Sequence, residues 1–179
     1  MINFDWLKRA KLVEMDYCFY KEDPVRPELD NKFRKDLGRK IFGLKIGKDV
    51  IAVMCFAFTH EIPKDIEELD LMSQDAFIQS MHRAGVQGHI AVAYTVWSKK
   101  KGGGKRIVQE VFKMVKKSNH LNRLVTLSPL TDMARKFHTR NGAIELQVNK
   151  TSQNFEYTIE NEWWENYLKR AKKWFKLKR

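Results

Sequence analysis

The sequence contains little cysteine and no long apolar run, and both shortages exclude classes of protein. Cys18 and Cys55 are the only cysteines in 179 residues, too few for a disulfide framework and without the spacing of a metal site. Every apolar run falls short of the ~18 residues that a membrane-spanning helix needs. No charged and then apolar leader opens the chain, so we expect a protein of the reducing cytoplasm with no bound metal.

Positive charge is in excess. The net charge is +12 at pH 7, with 43% hydrophobic and 31% charged residues, which is the composition of one globular domain with a full core. Seven basic residues and no acidic one follow Glu165. Aromatic residues at three- and four-residue steps predict an amphipathic helix over residues 160–177. That helix either docks on the core or binds nucleic acid, an acidic protein or another anionic surface.

The most pronounced pattern lies in residues 90–115. Residues 90–97 form a nearly continuous apolar run, which is typical of a strand buried on both faces. Three glycines follow among lysines, and apolar residues then recur at helical spacing. Glycines at a helix N-terminus let several backbone N–H groups turn toward one anion, which the helix dipole also favours. The pattern predicts a strand, a loop suited to a pyrophosphate, and a helix.

Two common nucleotide-binding motifs do not fit this loop. Arg106 stands where a P-loop needs a hydroxyl for magnesium, and Ile107 stands where the dinucleotide fingerprint needs its third glycine. The loop resembles instead the acyl-CoA loop of the GNAT acetyltransferase superfamily, R/Q-x-x-G-x-G/A. Lys99 stands at the first position of that motif, and Gly102 and Gly104 stand at its two small positions.

A second motif of the same superfamily follows in family order and at the family's separation. Residues 124–128 have the pattern of another buried strand, and residues 132–140 that of a helix capped by Thr131. Members carry A-x-x-F-Y-x-x-x-G in this region. The residues at the matching spacing are Ala134, Phe137, His138 and Gly142. The resemblance covers residues 88–157, and the run also looks like that of small phage-encoded members.

The resemblance implies a single-domain α/β (α+β) fold. Its central sheet is mixed, mostly antiparallel and splayed between the two central strands, with helices on both faces. We place this GNAT-like domain at residues 1–160 and a basic aromatic C-terminal helix at residues 161–179. Residues 4–20 have helical spacing, although their aromatic cluster could equally begin a strand. The other expected elements are strands at 40–46, 49–60, 143–148 and 151–159, the last half-exposed, and helices at 28–37 and 65–83.

The resemblance also implies where an acyl-CoA would lie and which residues would act on it. His138 replaces the tyrosine that serves many members as general acid, and an imidazole partly protonated at neutral pH could do that work. For the general base, His89 and Glu61 are the candidates beside His60, while some members use only a water chain. The expected cofactor-binding residues are Tyr94, Val96, Trp97, Lys99, Lys101, Gly102, Gly103, Gly104, Lys105, Arg106 and Thr131.

The function that the resemblance implies is an acyl-CoA-dependent N-acyltransferase. Acetyl would pass from acetyl-CoA to an amine by direct attack in a ternary complex. The acceptor is a small amine, a protein amine or a nucleic-acid base, and the positive charge favours an acidic or nucleic-acid-associated acceptor over a polyamine. Two alternatives stay open: a GNAT-fold binding or structural protein with little catalysis, and a nucleic-acid-modifying enzyme, each docked through the basic C-terminal helix.

Overall fold

One mixed sheet of seven strands is the centre of the protein, in a computed structural model that describes residues 9–82 and 87–157. The strands are β1 (Lys11–Met15), β2 (Lys40–Ile46), β3 (Asp49–Thr59), β4 (Ile90–Ser98), β5 (Arg123–Pro129), β6 (Ile144–Val148) and β7 (Ser152–Tyr157). They lie in the order β1-β2-β3-β4-β5-β7-β6. Among these described strands, only β4 and β5 pair in parallel, so the sheet is mixed and mostly antiparallel, as predicted.

Helices pack on both faces of the sheet, which also confirms the prediction. They are α1 (Asn31–Lys35), α2 (Ile66–His82), α3 (Gly103–Lys117) and α4 (Asp132–Arg140). On one face, α3 buries Ile107, Val111 and Val115, which recur at four-residue steps and face the sheet. Each such side chain contributes about 1.5–3 kcal/mol when fully buried. On the other face, α2 buries Leu69 against the central strands.

The front of the chain contains a strand and a shorter helix than expected. Residues 11–15 form β1, which pairs with β2 at the sheet edge, whereas residues 1–8 lie outside the described part. The helix expected at residues 28–37 is only the five-residue α1. Asp30 caps its start by accepting a hydrogen bond from Phe33 N at 2.8 Å. Leu37, with φ of 55°, ends the helical path.

The prediction that the last strand is half-exposed is wrong. β7 lies between β5 and β6, and five of its six residues are buried. Its polar side chains bond to backbone carbonyls of neighbouring segments. Asn154 Nδ2 donates to Pro63 O at 3.0 Å, and Gln153 Nε2 donates to Pro129 O at 2.8 Å. Alternation of polar and apolar residues therefore marks an interior strand here, because the polar members are satisfied within the protein.

Two other expectations concern residues beyond the described ranges. The C-terminal helix proposed for residues 161–179 lies outside them, and so does the end of the helix expected at 65–83. Within the described ranges, no helix combines the length and hydropathy that crossing a bilayer requires. Residues 9–82 and 87–157 also contain no group of three or more His, Cys, Asp or Glu placed to hold a metal ion.

Candidate functional site

The site begins where β4 and β5 separate. Their parallel pairing ends at Ala93 and Thr126, although both strands continue beyond that point. Tyr94 is an extra residue on β4, because Ala93 and Thr95 oppose adjacent residues of β3. Such a bulge bends the strand that carries it. The bend turns β4 away from β5 and opens a fork between the two central strands, as the splayed sheet of the sequence prediction requires.

A cavity of about 920 Å³ lies between this fork, the start of α3 and α4. One end of the cavity is strongly basic. The other end, at the fork, is lined by apolar and small polar residues that include Val25, Ala93 and Ser128. Among the described residues, no Asp or Glu lines the cavity. The basic lining residues are Lys99, Lys100, Lys101, Lys105, Lys136 and Arg140.

The glycine loop joins β4 to α3, and the helix begins earlier than predicted. α3 starts at Gly103 instead of near Arg106, so the end of the loop is already the first helical turn. Gly102 has φ of 90°, a conformation that costs other residues roughly 1–2 kcal/mol. A Cβ on Gly103 would overlap the Ser98 hydroxyl. These two glycines are needed by the turn itself.

The third glycine, Gly104, forms a cradle on the cavity side of the loop. A Cβ built on Gly104 would lie 3.3 Å from the Phe137 ring, and both Gly104 and Lys105 line the cavity. Their N–H groups lie in the first turn of α3, where no helical carbonyl is available to them. They are thus available to an anion, which the helix dipole also favours. Gly103, expected among the cofactor-binding residues, is not among those that line the cavity.

Two basic residues expected to bind the cofactor are engaged elsewhere. Lys99 Nζ lies 2.6 Å from Glu22 Oε2 and 5.5 Å from the centre of the Phe19 ring. Arg106 Nη2 lies 3.0 Å from Glu110 Oε1, and Arg106 is not among the residues that line the cavity. The charge of Lys99 is therefore shared with a carboxylate. Lys101 and Lys105 remain as predicted lining residues beside the glycines.

The aromatic residues expected beside the cofactor form part of the cavity wall with their backbone more than with their side chains. Tyr94, Val96 and Trp97 all line the cavity, but the rings of Tyr94 and Trp97 belong to the core on the α1 face of the sheet. The Tyr94 ring meets Phe33 edge-to-face at 5.9 Å. Its hydroxyl is buried with no hydrogen-bond partner among the described residues, and burial raises the pKa of Tyr94.

His138, the candidate acid, is buried at 4% exposure. Its ring stacks on Phe155 with centroids 5.0 Å apart, while Nε2 lies 2.9 Å from Ser128 Oγ and Nδ1 lies 2.8 Å from Tyr157 Oη. Burial lowers the pKa of His138 to about 4. The imidazole is therefore neutral at pH 7, contrary to the expectation of partial protonation. The histidine at the tyrosine position does not act as a free imidazolium.

The hydrogen bonds of His138 link it to Ser128, at the fork end of the cavity. A neutral imidazole has one donor and one acceptor nitrogen, and which is which follows from its neighbours. The donors can run in one direction: Tyr157 O–H to Nδ1, Nε2–H to Ser128 Oγ, and Ser128 O–H to Thr126 Oγ1 at 3.1 Å. Ser128 and His138 both line the cavity. From the sequence, Ser128 was a candidate to meet the cofactor at the end of its strand, but its hydrogen bond to His138 was not predicted.

Thr131 performs the capping role that its position predicts. Its Oγ1 accepts a hydrogen bond from Ala134 N at 3.2 Å, and it also lines the cavity. The base candidates lie elsewhere. His89 directly precedes β4, Glu61 follows β3, and neither is among the cavity-lining residues. The Nδ1 atoms of His89 and His60 lie 3.3 Å apart in an exposed position, so the structure brings these two together but not with His138.

A buried ion pair beneath the fork was missed by sequence reasoning. Arg34 Nη2 lies 2.8 Å from Asp23 Oδ2, and both side chains are 0% exposed. Thr95 Oγ1 donates to the same carboxylate at 2.7 Å and 2.9 Å. In the sequence, Asp23 stands in a polar segment broken by two prolines, which is typical of a solvated loop. No signal distinguished it from such a loop.

No protein-family model matches the sequence, and no curated protein matches it. Solved structures do. The GNAT domain of S. lividans PAT is 12% identical, with 83% of this chain and 89% of that chain covered and a TM-score of 0.52. The chain has the GNAT fold. A Bacillus subtilis acetyltransferase in complex with CoA shares the fold at 9% identity, with 82% of this chain and 95% of that chain covered and a TM-score of 0.52.

The Campylobacter jejuni N-acetyltransferase PseH has the GNAT fold as well, at 14% identity, with 84% of this chain and 99% of that chain covered and a TM-score of 0.52. The chain spans only 35% of the length of a malonyl-CoA decarboxylase from Cupriavidus metallidurans, which covers 75% of this chain at 16% identity and a TM-score of 0.47. In this GNAT fold, the fork and the glycine loop stand where the sequence resemblance placed them.

Proposed function

We propose that this protein is an acyl-CoA-dependent N-acyltransferase that transfers acetyl from acetyl-CoA to an amine. The observation that carries the proposal is the cavity itself, which runs from a basic glycine loop at the start of α3 to the fork between β4 and β5. The related acetyltransferase from Bacillus subtilis was solved with CoA, and PseH is an N-acetyltransferase. Both share the fold of this chain.

The residues at the basic end fit the phosphates of a CoA. Gly104 and Lys105 would offer N–H groups from the first turn of α3, and the missing side chain of Gly104 leaves room beside Phe137. Lys101 would add charge. Beyond the fork, the backbone of β4 has no strand partner on the β5 side, so residues 94–97 could bond to the amides of a pantetheine arm.

The residues at the fork would position the reaction. Acetyl-CoA supplies a thioester, whose acyl group an amine attacks directly. Holding both reactants at the fork gives most of the rate, because the reaction then needs no further loss of translational freedom. Ser128 would turn its O–H from Thr126 Oγ1 toward the departing sulfur, and the Nε2–H of neutral His138, oriented by Tyr157, would hold the serine oxygen in place. His89 and Glu61 remain the proposed bases, and because neither lines the cavity, each would take the amine proton through a chain of water molecules.

Calorimetric titration with acetyl-CoA tests the proposal. We expect micromolar binding to the wild-type protein and none to Gly104→Asp, which places a side chain and a negative charge in the cradle. Gly104 is a cleaner target than Gly103, where any side chain would collide with Ser98. Gln79→Asp is the control, because it adds the same charge at an exposed position of α2 that does not line the cavity. Absence of binding to wild-type protein would exclude the acyl-donor site.

The charge around the cavity favours an anionic or nucleic-acid-associated acceptor as a second part of the proposal. The basic lining and the net charge of +12 would repel a polyamine. An acceptor screen that follows release of the CoA thiol would compare amino acids, peptides, polyamines and aminoacylated RNA. Binding to RNA that weakens steeply with salt, without acetyl transfer, would support the nucleic-acid-binding alternative instead.

A further inference from the structure

The side chain of Arg26 occupies the fork between the two central strands. Its Nε donates to Tyr94 O at 2.9 Å, and its Nη2 donates to Leu127 O at 3.2 Å. Tyr94 and Leu127 are the first residues after the last paired positions, Ala93 and Thr126. The guanidinium therefore stands where the next cross-strand hydrogen bonds would be. It holds the two strands at a fixed separation and fills the gap between them.

The segment that carries Arg26 is fixed from below by buried polar groups. Arg34 Nη2 donates to Arg26 O at 2.8 Å, and Arg34 Nε donates to Leu29 O at 2.7 Å. Asp23 Oδ1 accepts from Val25 N at 2.9 Å. Because Asp23 and Arg34 form a fully buried ion pair, moving this segment would expose or separate two charges, which is costly. The segment is thus a rigid part of the fork.

This segment also lines the cavity at the fork. Pro24 and Val25 line the cavity directly, and Arg26 closes the gap between the strands behind them. β4 rises about 3.3 Å per residue, so Tyr94 lies roughly 16 Å from Lys99 along the strand. An acyl group attached to a CoA held by the loop would thus be directed toward Pro24, Val25 and Arg26.

We propose that Pro24, Val25 and Arg26 form a stop that restricts the acyl donor to short chains, with Arg26 as the residue that keeps the fork closed. This inference rests on the proposed function. It follows from the geometry because a chain of several carbons would need the space that the guanidinium and its two carbonyl partners fill. An open apolar channel would instead favour longer acyl chains, since each buried methylene would strengthen binding about fourfold.

Calorimetry with acetyl-, butyryl- and octanoyl-CoA tests the stop without knowledge of the acceptor. For the wild-type protein we expect octanoyl-CoA to bind about tenfold or more weakly than acetyl-CoA. Arg26→Ala should reduce that ratio to about threefold or less, because the fork is then open. Val25→Ala, which keeps Arg26 in place, should shift the preference toward butyryl-CoA. Lys21→Ala, an exposed change in the same part of the chain, should leave the ratio unchanged.

Adenosine 3′,5′-bisphosphate separates the stop from a general loss of structure. It lacks the pantetheine arm, so it should bind to the wild-type protein and to Arg26→Ala equally well if the variant is folded. Equal affinity of the wild-type protein for acetyl- and octanoyl-CoA would overturn the stop while leaving the proposed function intact. An unchanged ratio in both Arg26→Ala and Val25→Ala would overturn it too. If no acyl-CoA binds to the wild-type protein, the proposed function itself fails.

Discussion

The imidazole of His138 is hydrogen-bonded to the hydroxyl of Ser128 at 2.9 Å, and both residues line the cavity. His138 stands at the position where the GNAT motif that the sequence resembles has a tyrosine. A tyrosine would present one hydroxyl on one side chain. Here a hydroxyl from β5 and an imidazole from α4 are joined by a hydrogen bond, so we expect the two residues to act as a unit.

Ser128→Ala and His138→Ala should therefore lower kcat by similar factors. We expect about a hundredfold for each, the lower range for loss of a general acid or its positioning. The Kd for acetyl-CoA should change little, because neither residue belongs to the phosphate end. The double variant should be about as slow as either single variant, since removing one member already disables the other. Independent, multiplying effects of the two substitutions would contradict a shared role.

The low pKa of His138 also makes the stability of the fold depend on pH. The ordinary histidine pKa is 6.5, and burial lowers it to about 4 in the folded protein. Between these values the unfolded chain binds the extra proton, so the free energy of unfolding falls as the pH drops. Above pH 6.5 this titration leaves the free energy of unfolding unchanged. At pH 4 it lowers the free energy of unfolding by about 3 kcal/mol.

Urea unfolding of the wild-type protein and His138→Gln at several pH values isolates this contribution. Carboxylates that titrate in the same range are common to both proteins, so they cancel in the difference. The gap between the two free energies of unfolding should shift in favour of His138→Gln as the pH falls from 7 to 4. A gap that is constant over that range would show that the imidazole is not held neutral by the fold.

Local patterns predicted most of the fold, while contacts across the chain decided the chemistry of the site. The glycine loop and the α4 motif are each contiguous, so their residues predicted the helices that follow them, and the family resemblance that they carry implied the fork. His138 is hydrogen-bonded to Tyr157, 19 residues away in the chain. The carboxylate of Asp23 accepts a hydrogen bond from Thr95, 72 residues away. No periodicity or motif records such pairs, so burial and pKa could not be derived from the sequence.

The ion pair beneath the fork should be essential to stability. Asp23→Asn leaves the guanidinium of Arg34 buried without a counter-charge, and breaking a buried pair in this way costs about 3–5 kcal/mol. Denaturant unfolding measures the loss. Asp16→Asn is the matched control, because Asp16 lies 3.5 Å from Lys35 with its side chain 99% exposed. Exposed pairs of this kind contribute about 0–1 kcal/mol, and equal losses in the two variants would refute the distinction.

The contact between Glu22 and Lys99 predicts a gain of affinity from a substitution outside the cavity. The ammonium of Lys99 lies 2.6 Å from Glu22 Oε2, and both side chains are half-exposed. Glu22→Gln removes the competing carboxylate and leaves Lys99 free to pair with a phosphate. Since exposed pairs contribute about 0.2–1 kcal/mol, acetyl-CoA should bind about 1.4- to fivefold more tightly at low salt. The gain should shrink at high salt, because screening weakens exposed charges.

A double-mutant cycle shows whether that gain passes through Lys99 or through the general field of the protein. In a Lys99→Ala background, Glu22→Gln should no longer raise the affinity, because the ammonium that it frees is gone. Glu145→Gln removes the same charge from a pair with Arg135 on the β6 side of α4, where it contacts no loop lysine, and should leave the affinity unchanged. If Glu22→Gln and Glu145→Gln strengthen binding equally, the effect is one of net charge, and Lys99 does not meet the phosphates.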